Sequence, residues 1–171
     1  MNIVLIGFMA SGKTVVGRAL AKKLKKRYVS TDSLIVKRSK MAIRTIFARY
    51  GEARFRKLES AAAVSLKKAK NTVIATGGGI VLKSKNVKML KRIGLVAWLK
   101  VSPETVLKRI GSLKHRPLLH IADKAARLKV IRRILRARQE LYAGAADITI
   151  DTSKLSVSAV VKKICQKLKL I

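Results

Sequence analysis

The sequence of 171 residues predicts an α/β fold in which a five-stranded parallel sheet lies between helices. Apolar runs of strand length alternate with longer segments of helical periodicity, which is typical of a parallel sheet covered on both faces. The hydrophobic content of 49% is that of a folded chain, and every apolar run is shorter than the roughly 18 residues of a membrane span. We expect a single domain, residues 1–171, whose first strand lies in the middle of the sheet.

The predicted strands are short and apolar. They cover Asn2–Ile6, a segment near Tyr28–Ser30, Thr72–Ala75, Leu95–Leu99 and Ile148–Asp151. The predicted helices carry apolar residues at helical spacing. They cover Lys13–Lys26, Ser33–Arg38, Ile43–Tyr50, Glu52–Lys68, Ser84–Lys91, Pro103–Ile110, Ala125–Tyr142 and Ser156–Leu168. Ser102 and Pro103 supply a cap and a first-turn proline for one of them. The segment Leu113–Asp123 lacks helical periodicity, and we expect a mobile loop there.

The segment Gly7–Thr14 fits the pattern G-x-x-x-x-G-K-S/T between a predicted strand and a predicted helix. In this context the glycines let backbone N–H groups surround a phosphate, and the helix N-terminus adds its dipole. Lys13 would reach the β- and γ-phosphates of a nucleoside triphosphate, and the Thr14 hydroxyl would bind Mg²⁺. The residues that we expect to bind the nucleotide in this segment are Gly7, Ala10, Ser11, Gly12, Lys13, Thr14 and Val15.

The charge balance is unusual, with 40 Lys and Arg against 8 Asp and Glu and a formal net charge of +32. Such a field attracts polyanions in a salt-sensitive manner, so a nucleic-acid partner is one interpretation. The basic residues are spread through nearly every helix, however, and aromatic residues for base stacking make up only 4% of the chain. We therefore favour a surface depleted of acids, with non-specific polyanion binding as its consequence.

The cellular setting is predicted from the N-terminus and the cysteine count. The chain enters its first strand without the basic and apolar segments of a signal peptide, and Cys165 is the one cysteine. Cys165 lies on the apolar side of the last predicted helix, and Trp98 lies in a predicted strand, so we expect both in the core. We expect a cytoplasmic monomer without a membrane anchor.

Four further stretches accompany the phosphate-binding motif. They are Thr31-Asp32, Phe55–Glu59, Gly77–Gly79, and Arg116–Leu119 with Arg138 and Tyr142 following. In their order and spacing the chain resembles shikimate kinase over essentially its whole length. The resemblance implies transfer of the γ-phosphoryl group of ATP to the 3-hydroxyl group of shikimate, in the pathway to the aromatic amino acids. ATP and shikimate are then the partners, and Mg²⁺ is the cofactor.

The acceptor residues also follow from the chemistry of a small hydroxy acid. Arg56 and Arg138 are candidates for a carboxylate clamp, because a guanidinium binds a carboxylate through two parallel hydrogen bonds. Asp32 follows the second strand, at the sheet edge where acceptors bind. The resemblance implies that Asp32 holds the reacting hydroxyl and accepts its proton. Glu59 is either a partner of the clamp, as the resemblance implies, or an i,i+3 pair with Arg56; both are compatible.

The resemblance implies further roles around these residues. Gly77, Gly78 and Gly79 would let backbone N–H groups approach the substrate, within an acceptor-binding region at about residues 31–60. Residues 112–123 would form a lid whose Arg116 reaches the phosphates on closure. Arg109 matches an arginine that stacks on adenine, with Lys108 and Lys114 as rivals for that role. His115 and His120 lack the neighbours of a metal site.

Two positions depart from the family pattern. Ser30 stands where the family usually has an aspartate that helps to hold Mg²⁺ through water, so we expect weaker Mg²⁺ binding. Ala10 stands where glycine is common, at a position that generally tolerates side chains. Three alternatives stay open: a related kinase for another acceptor such as gluconate or a nucleoside monophosphate, a nucleic-acid-binding protein, and a folded kinase that has lost activity.

Overall fold

The computed structural model of the chain describes residues 1–110 and 123–169. Its five strands form one parallel sheet in the order β2-β3-β1-β4-β5. They are β1 (Asn2–Ile6), β2 (Arg27–Ser30), β3 (Thr72–Ala75), β4 (Gly94–Lys100) and β5 (Ile148–Asp151). The expected α/β fold is therefore confirmed, with the N-terminal strand at the centre of the sheet.

Within the described ranges the helices lie where the sequence predicts them, but they differ at their ends, and two of the eight predicted helices are joined into one, so that there are seven. They are α1 (Lys13–Lys23), α2 (Thr31–Ser39), α3 (Ile43–Ser65), α4 (Ser84–Ile93), α5 (Pro103–Arg109), α6 (Lys124–Ala145) and α7 (Val157–Lys167). A 3₁₀ turn at Ile80–Leu82 precedes α4. The two helices expected on either side of Gly51 are the two halves of α3, because Gly51 has φ 73° and ψ 176° and breaks the helical path.

The core lies on both faces of the sheet because the side chains of β1 alternate between them. Ile3 and Leu5 pack in one apolar cluster with α1 and α7, where Cys165 is buried as expected. Val4 and Ile6 pack on the other face with side chains from α3, α4 and α6, near the buried Trp98. Burying an aliphatic side chain of this size contributes about 1.5–3 kcal/mol. These two layers fix the carboxyl ends of the strands, where the candidate site lies.

None of the helices within residues 1–110 and 123–169 is both long enough and apolar enough to cross a membrane.

Candidate active site

The phosphate-binding loop joins the end of β1 to the start of α1, as the sequence predicts. Gly7 has φ 142°, and a Cβ there would lie 2.5 Å from the Leu99 carbonyl oxygen. Gly12 has φ 94° and directly precedes the first helical residue. Both conformations lie in the left-handed region that favours glycine. The two glycines of the motif are therefore required by the backbone path of the loop.

Ala10 also has a positive φ, of 59°. A side chain in this left-handed conformation costs roughly 1–2 kcal/mol relative to the ordinary helical region. The backbone thus gives a reason why glycine would be favoured at this position, although the sequence pattern alone indicates that side chains are tolerated there.

Lys13 lies across the loop. Its Nζ atom donates hydrogen bonds to the carbonyl oxygens of Gly7 at 2.8 Å and Phe8 at 2.7 Å. The ammonium group is thus held over the concave side of the loop, next to the first turn of α1. The first-turn N–H groups of a helix have no intrahelical acceptor, so this end of α1 favours an anion.

An open cleft of about 460 Å³ begins at this loop and runs along the carboxyl ends of the strands. Twelve residues line it: Met9, Ala10, Gly12, Lys13, Thr14, Val15, Ser30, Asp32, Ala75, Thr76, Gly78 and Arg109. Most of the expected nucleotide-binding residues are therefore brought to one wall. Ser30 and Thr14 both line the cleft, so Ser30, which stands where the family usually has an aspartate, shares that cleft with the expected Mg²⁺ ligand. Ser11 is buried beneath the loop.

A smaller cavity of about 170 Å³ adjoins the loop on its other side, between α1, Arg109 and the connection from β5 to α7. Arg109 donates to the Ala10 carbonyl oxygen at 3.3 Å and to the Thr152 carbonyl oxygen at 2.6 Å. The Thr152 hydroxyl in turn donates to the Ser11 carbonyl oxygen at 3.1 Å. Sequence reasoning missed Thr152 and Leu155 here. Their position after the last strand was the available signal, since ligands bind beyond the carboxyl ends of parallel strands.

The triple-glycine turn after β3 lies against the expected acceptor residues. A Cβ at Gly77 would overlap Glu59 Oε1 and would lie 2.9 Å from Asp32 Oδ1. A Cβ at Gly79 would overlap the Arg56 guanidinium. The absence of side chains at Gly77 and Gly79 is what allows the three charged groups to converge on this turn.

Arg56 is fixed by two carboxylates of its own helix. Its Nη1 atom donates to Glu59 Oε2 at 2.8 Å, and its Nε and Nη2 atoms donate to Glu52 Oε1 at 3.0 and 2.8 Å. Arg56 and Glu59 are 9% and 1% exposed. The i,i+3 pair between Arg56 and Glu59 is thus present and buried. Burial disfavours the charge on Arg56, but Glu59 and Glu52 offset this and raise its pKa.

Arg138 reaches the same turn from α6, 60 residues further along the chain. Its Nη1 atom donates to the Gly78 carbonyl oxygen at 3.3 Å, and the Tyr142 hydroxyl donates to the same oxygen. Arg138 is 9% exposed. Burial raises the pKa of Tyr142 to about 12, so its hydroxyl keeps its proton and acts as a donor. Arg138 and Arg56 therefore approach the glycine turn from different helices.

Asp32 lies in the first turn of α2, beside Gly77. Its Oδ1 atom is buried and has no hydrogen-bond partner among the described residues, and the same is true of Glu59 Oε1. Burial raises the pKa of the Asp32 carboxyl above its ordinary value, against the lowering effect of Lys13 and Arg56. Burial likewise raises the pKa of Glu59, with Arg56 opposing it. Two buried carboxylate oxygens, one from α2 and one from α3, therefore lie beside Gly77 with unused capacity to accept hydrogen bonds.

Arg116 and the expected lid around residues 112–123 lie, apart from Asp123, outside the described residues, as do His115 and His120. The other site residues predicted from the sequence lie in the phosphate-binding loop, line the cleft or the adjoining cavity, or contact the glycine turn, and Arg109, unlike its rival Lys108, lines both spaces.

The chain matches a family model described as shikimate kinase over residues 9–169. Curated relatives that match nearly the whole chain have the same name. The shikimate kinase of Moorella thermoacetica is 46% identical over 168 residues, which is 98% of this chain and 94% of the relative. That of Caldanaerobacter subterraneus subsp. tengcongensis is 42% identical over 163 residues, or 95% and 93% of the two chains.

Solved structures give the same result. The shikimate kinase of Acinetobacter baumannii in complex with shikimate superposes with a TM-score of 0.93 at 34% identity, covering 99% of this chain and 93% of that one. The shikimate kinase of Aquifex aeolicus superposes with a TM-score of 0.84 at 34% identity, covering 99% and 96%.

Proposed function

The chain belongs to the shikimate kinase family, and we propose that its cleft transfers the γ-phosphoryl group of ATP to the 3-hydroxyl group of shikimate. One observation carries this proposal: Arg56, Glu59 and Asp32 converge on the Gly77–Gly79 turn, and Gly78 and Asp32 also line the cleft of the phosphate-binding loop. A nucleotide bound in the cleft and a small hydroxy acid bound at the glycine turn would therefore lie next to each other, at Gly78 and Asp32.

ATP would bind with its phosphates in the loop Gly7–Thr14. Lys13 is held above the loop by carbonyl oxygens, from which it can turn to the β- and γ-phosphates. Its charge would stabilise the transferring phosphoryl group. The adenine would lie in the adjoining cavity beside Arg109, whose guanidinium donates hydrogen bonds to the carbonyl oxygens of Ala10 and Thr152. Val15 lines both spaces.

Shikimate would bind against the glycine turn. Its carboxylate would pair with Arg56 and Arg138, which reach the turn from α3 and α6. Its hydroxyl groups would donate to the buried oxygens of Asp32 and Glu59, which otherwise lack partners among the described residues. The glycine backbone would make the closest approach to the ring, since any side chain at Gly77 or Gly79 would collide with the acceptor residues.

Asp32 would orient the reacting hydroxyl and accept its proton. The oxygen of that hydroxyl forms a bond to the γ-phosphorus as the bond to the leaving oxygen of ADP breaks, in a direct in-line transfer. A carboxylate whose pKa is raised by burial is a better proton acceptor than an exposed one. Arg116, outside the described residues, is proposed to reach the phosphates from the lid.

The cleft offers the oxygen ligands that Mg²⁺ prefers. The hydroxyl groups of Thr14 and Ser30 and the carboxylate of Asp32 line it together, and Mg²⁺ takes hydroxyl, carboxylate, phosphate and water oxygens. When bound, the ion would neutralise charge on the β- and γ-phosphates. We propose that Thr14 is its protein ligand and that Ser30 contacts it only through water.

We propose that residues 1–171 act as one kinase domain, with the acceptor region at about residues 31–60. α2 and the kinked α3 make up most of that region, and both contribute acidic or basic groups to the turn.

The test is an ATP-consumption assay against a panel of hydroxy acids that includes shikimate and gluconate, at moderate salt and varied Mg²⁺. We expect Mg²⁺-dependent turnover with shikimate alone. Turnover with another acceptor would assign the site to a related kinase, and no turnover by the folded protein would indicate an inactive one. The net charge of +32 predicts polyanion binding that is lost with added salt; binding that survives physiological salt would favour a nucleic-acid function.

A further inference from the structure

Arg56 already has a carboxylate on one of its two binding edges. A guanidinium binds a carboxylate most strongly through two N–H groups on the same edge. Its Nε and Nη2 atoms both donate to Glu52 Oε1, at 3.0 and 2.8 Å, so that edge is taken by a side chain of the same helix. Glu59 takes the remaining nitrogen, Nη1, at 2.8 Å.

The two acidic partners of Arg56 differ in burial. The Glu59 side chain is 1% exposed, whereas that of Glu52 is 46% exposed. A buried carboxylate that loses its cationic partner carries a large desolvation cost, whereas a half-exposed one is rehydrated by water. An incoming carboxylate would therefore displace Glu52 and leave the pair between Arg56 and Glu59 intact.

The backbone before Glu52 favours this exchange. Gly51, with φ 73° and ψ 176°, breaks α3, so Glu52 lies at the start of the second helical half. Carboxylates are stabilised at the first turn of a helix by its unpaired N–H groups. A Glu52 side chain released from Arg56 would thus have the start of its own helix, as well as water, as partners.

We propose that Glu52 is a positioning residue that holds the Nε–Nη2 edge of Arg56 until the carboxylate of the acceptor replaces it. This inference rests on the proposed role of Arg56 in binding the acceptor. Until it is displaced, Glu52 neutralises the charge of the guanidinium, and it competes with any carboxylate that approaches. A simple carboxylate must displace Glu52 as well but lacks the hydroxyl contacts to Asp32 and Glu59, so Glu52 further weakens the binding of an anion that is already weakly held.

The test is Glu52→Gln, which keeps the size of the side chain and removes the competing charge. Because Glu52 is half-exposed and its charge is screened by water, we take the range of surface ion pairs, about a two- to fivefold change in affinity. We expect KM for shikimate to fall by that factor, with KM for ATP unchanged. The Kd of benzoate, a carboxylate without hydroxyl groups, should fall by at least as much. KM for the methyl ester of shikimate should not fall, because the ester has no carboxylate to compete.

Glu104→Gln is the matched control. Glu104 pairs with Arg132 at 2.9 Å with both side chains about equally exposed, at 59% and 60%, so the variant loses the same charge on the surface. We expect it to behave like the wild type in every one of these measurements. If Glu104→Gln lowered KM for shikimate as much as Glu52→Gln, the effect would come from net charge and the proposal would be wrong.

The outcomes separate the two proposals. An unchanged or higher KM for shikimate in Glu52→Gln would overturn the proposal that Glu52 competes with the substrate carboxylate for Arg56. A higher value would mean that Glu52 aligns Arg56 for the substrate. If the wild type did not phosphorylate shikimate, the proposed function would fail. Tighter benzoate binding by Glu52→Gln than by the wild type and Glu104→Gln, measured by calorimetry without turnover, would still support competition at Arg56.

Discussion

Gly79→Ala tests the acceptor site by adding one methyl group without changing any charge. Gly79 has φ −101° and ψ 1°, a conformation that alanine can adopt, so the backbone is not strained by the change. The new Cβ would overlap Arg56 Nη1 and Cζ and would lie 2.6 Å from Nη2. The three atoms nearest to the new methyl group all belong to the Arg56 guanidinium, so the perturbation falls first on its position.

The displacement can be worked out from the contact distances. Ordinary van der Waals contact begins at 3.4 Å, so Nη2 must move by roughly 0.8 Å, and Nη1 must move further. The 2.8 Å bond from Nη1 to Glu59 would then lengthen or break. A misplacement of about 1 Å in a positioning group costs on the order of 100-fold in rate. We expect kcat/KM for shikimate to fall by about that factor, with KM for ATP within about twofold.

The assay is steady-state ATP consumption with each substrate varied in turn, together with thermal unfolding. Gly144→Ala is the matched control, because Gly144 lies in α6 and its new methyl group would have no neighbouring side chain within 4 Å among the described residues. That variant should keep full activity and gain about 0.5–1 kcal/mol of stability from the better helix former. Gly79→Ala with wild-type kcat/KM for shikimate, or with a KM for ATP that rises as much as the KM for shikimate, would refute the placement of Arg56 at the acceptor.

Three further variants test the remaining assignments. Lys13→Met should lower kcat by roughly 100-fold or more. Circular dichroism would check that the variant stays folded. A near-normal kcat would show that Lys13 does not take part in catalysis. Arg138→Lys keeps the positive charge but loses the two parallel N–H donors of the guanidinium, so KM for shikimate should rise about 10–100-fold while KM for ATP changes little. Equal rises in the two KM values would contradict the role of Arg138 in binding the carboxylate. Ser30→Asp should lower the Mg²⁺ concentration for half-maximal rate, by about 1 kcal/mol in binding free energy. Ser30 caps α2 by accepting from the Ser33 N–H at 3.4 Å, and aspartate caps as well, so stability should not change; superimposable Mg²⁺ titrations would place Ser30 away from the metal.

The fold was predictable because its signals are local. The run Ile3–Ile6 and the glycines that follow it specify a strand and a turn within a dozen residues. Gly51 separates two segments of helical periodicity, and the structure breaks the helix there. The ends of elements were less accurate, because tertiary contacts decide the last turn. α2 begins at Thr31, and the Thr31 hydroxyl accepts from the Gly77 N–H at 2.9 Å.

The candidate site was predictable in its residue types but not in its internal pairing. The i,i+3 spacing predicts the pair between Arg56 and Glu59, yet only the structure shows that Glu52 also binds Arg56. The contact between Arg138 and the Gly78 carbonyl joins residues that are 60 positions apart, and no local pattern encodes it. Thr152 was missed for the same reason, since its bonds to Ser11 and Arg109 span 141 and 43 positions.

The central place of β1 has a consequence during synthesis of the chain. β1 pairs with β3 and β4, which begin at Thr72 and Gly94, so it gains its first partner only when β3 has been made and its second only when β4 has been made. At roughly 5–20 residues per second, the interval from β1 to β4 is on the order of 5–20 s. Before β3 is made, the run Ile3–Ile6, which is 0% exposed in the folded protein, has only β2 and the helices α1, α2 and α3 to cover it. We therefore expect nascent chains that end before β4 to aggregate or bind chaperones, and the complete chain to fold in one late step.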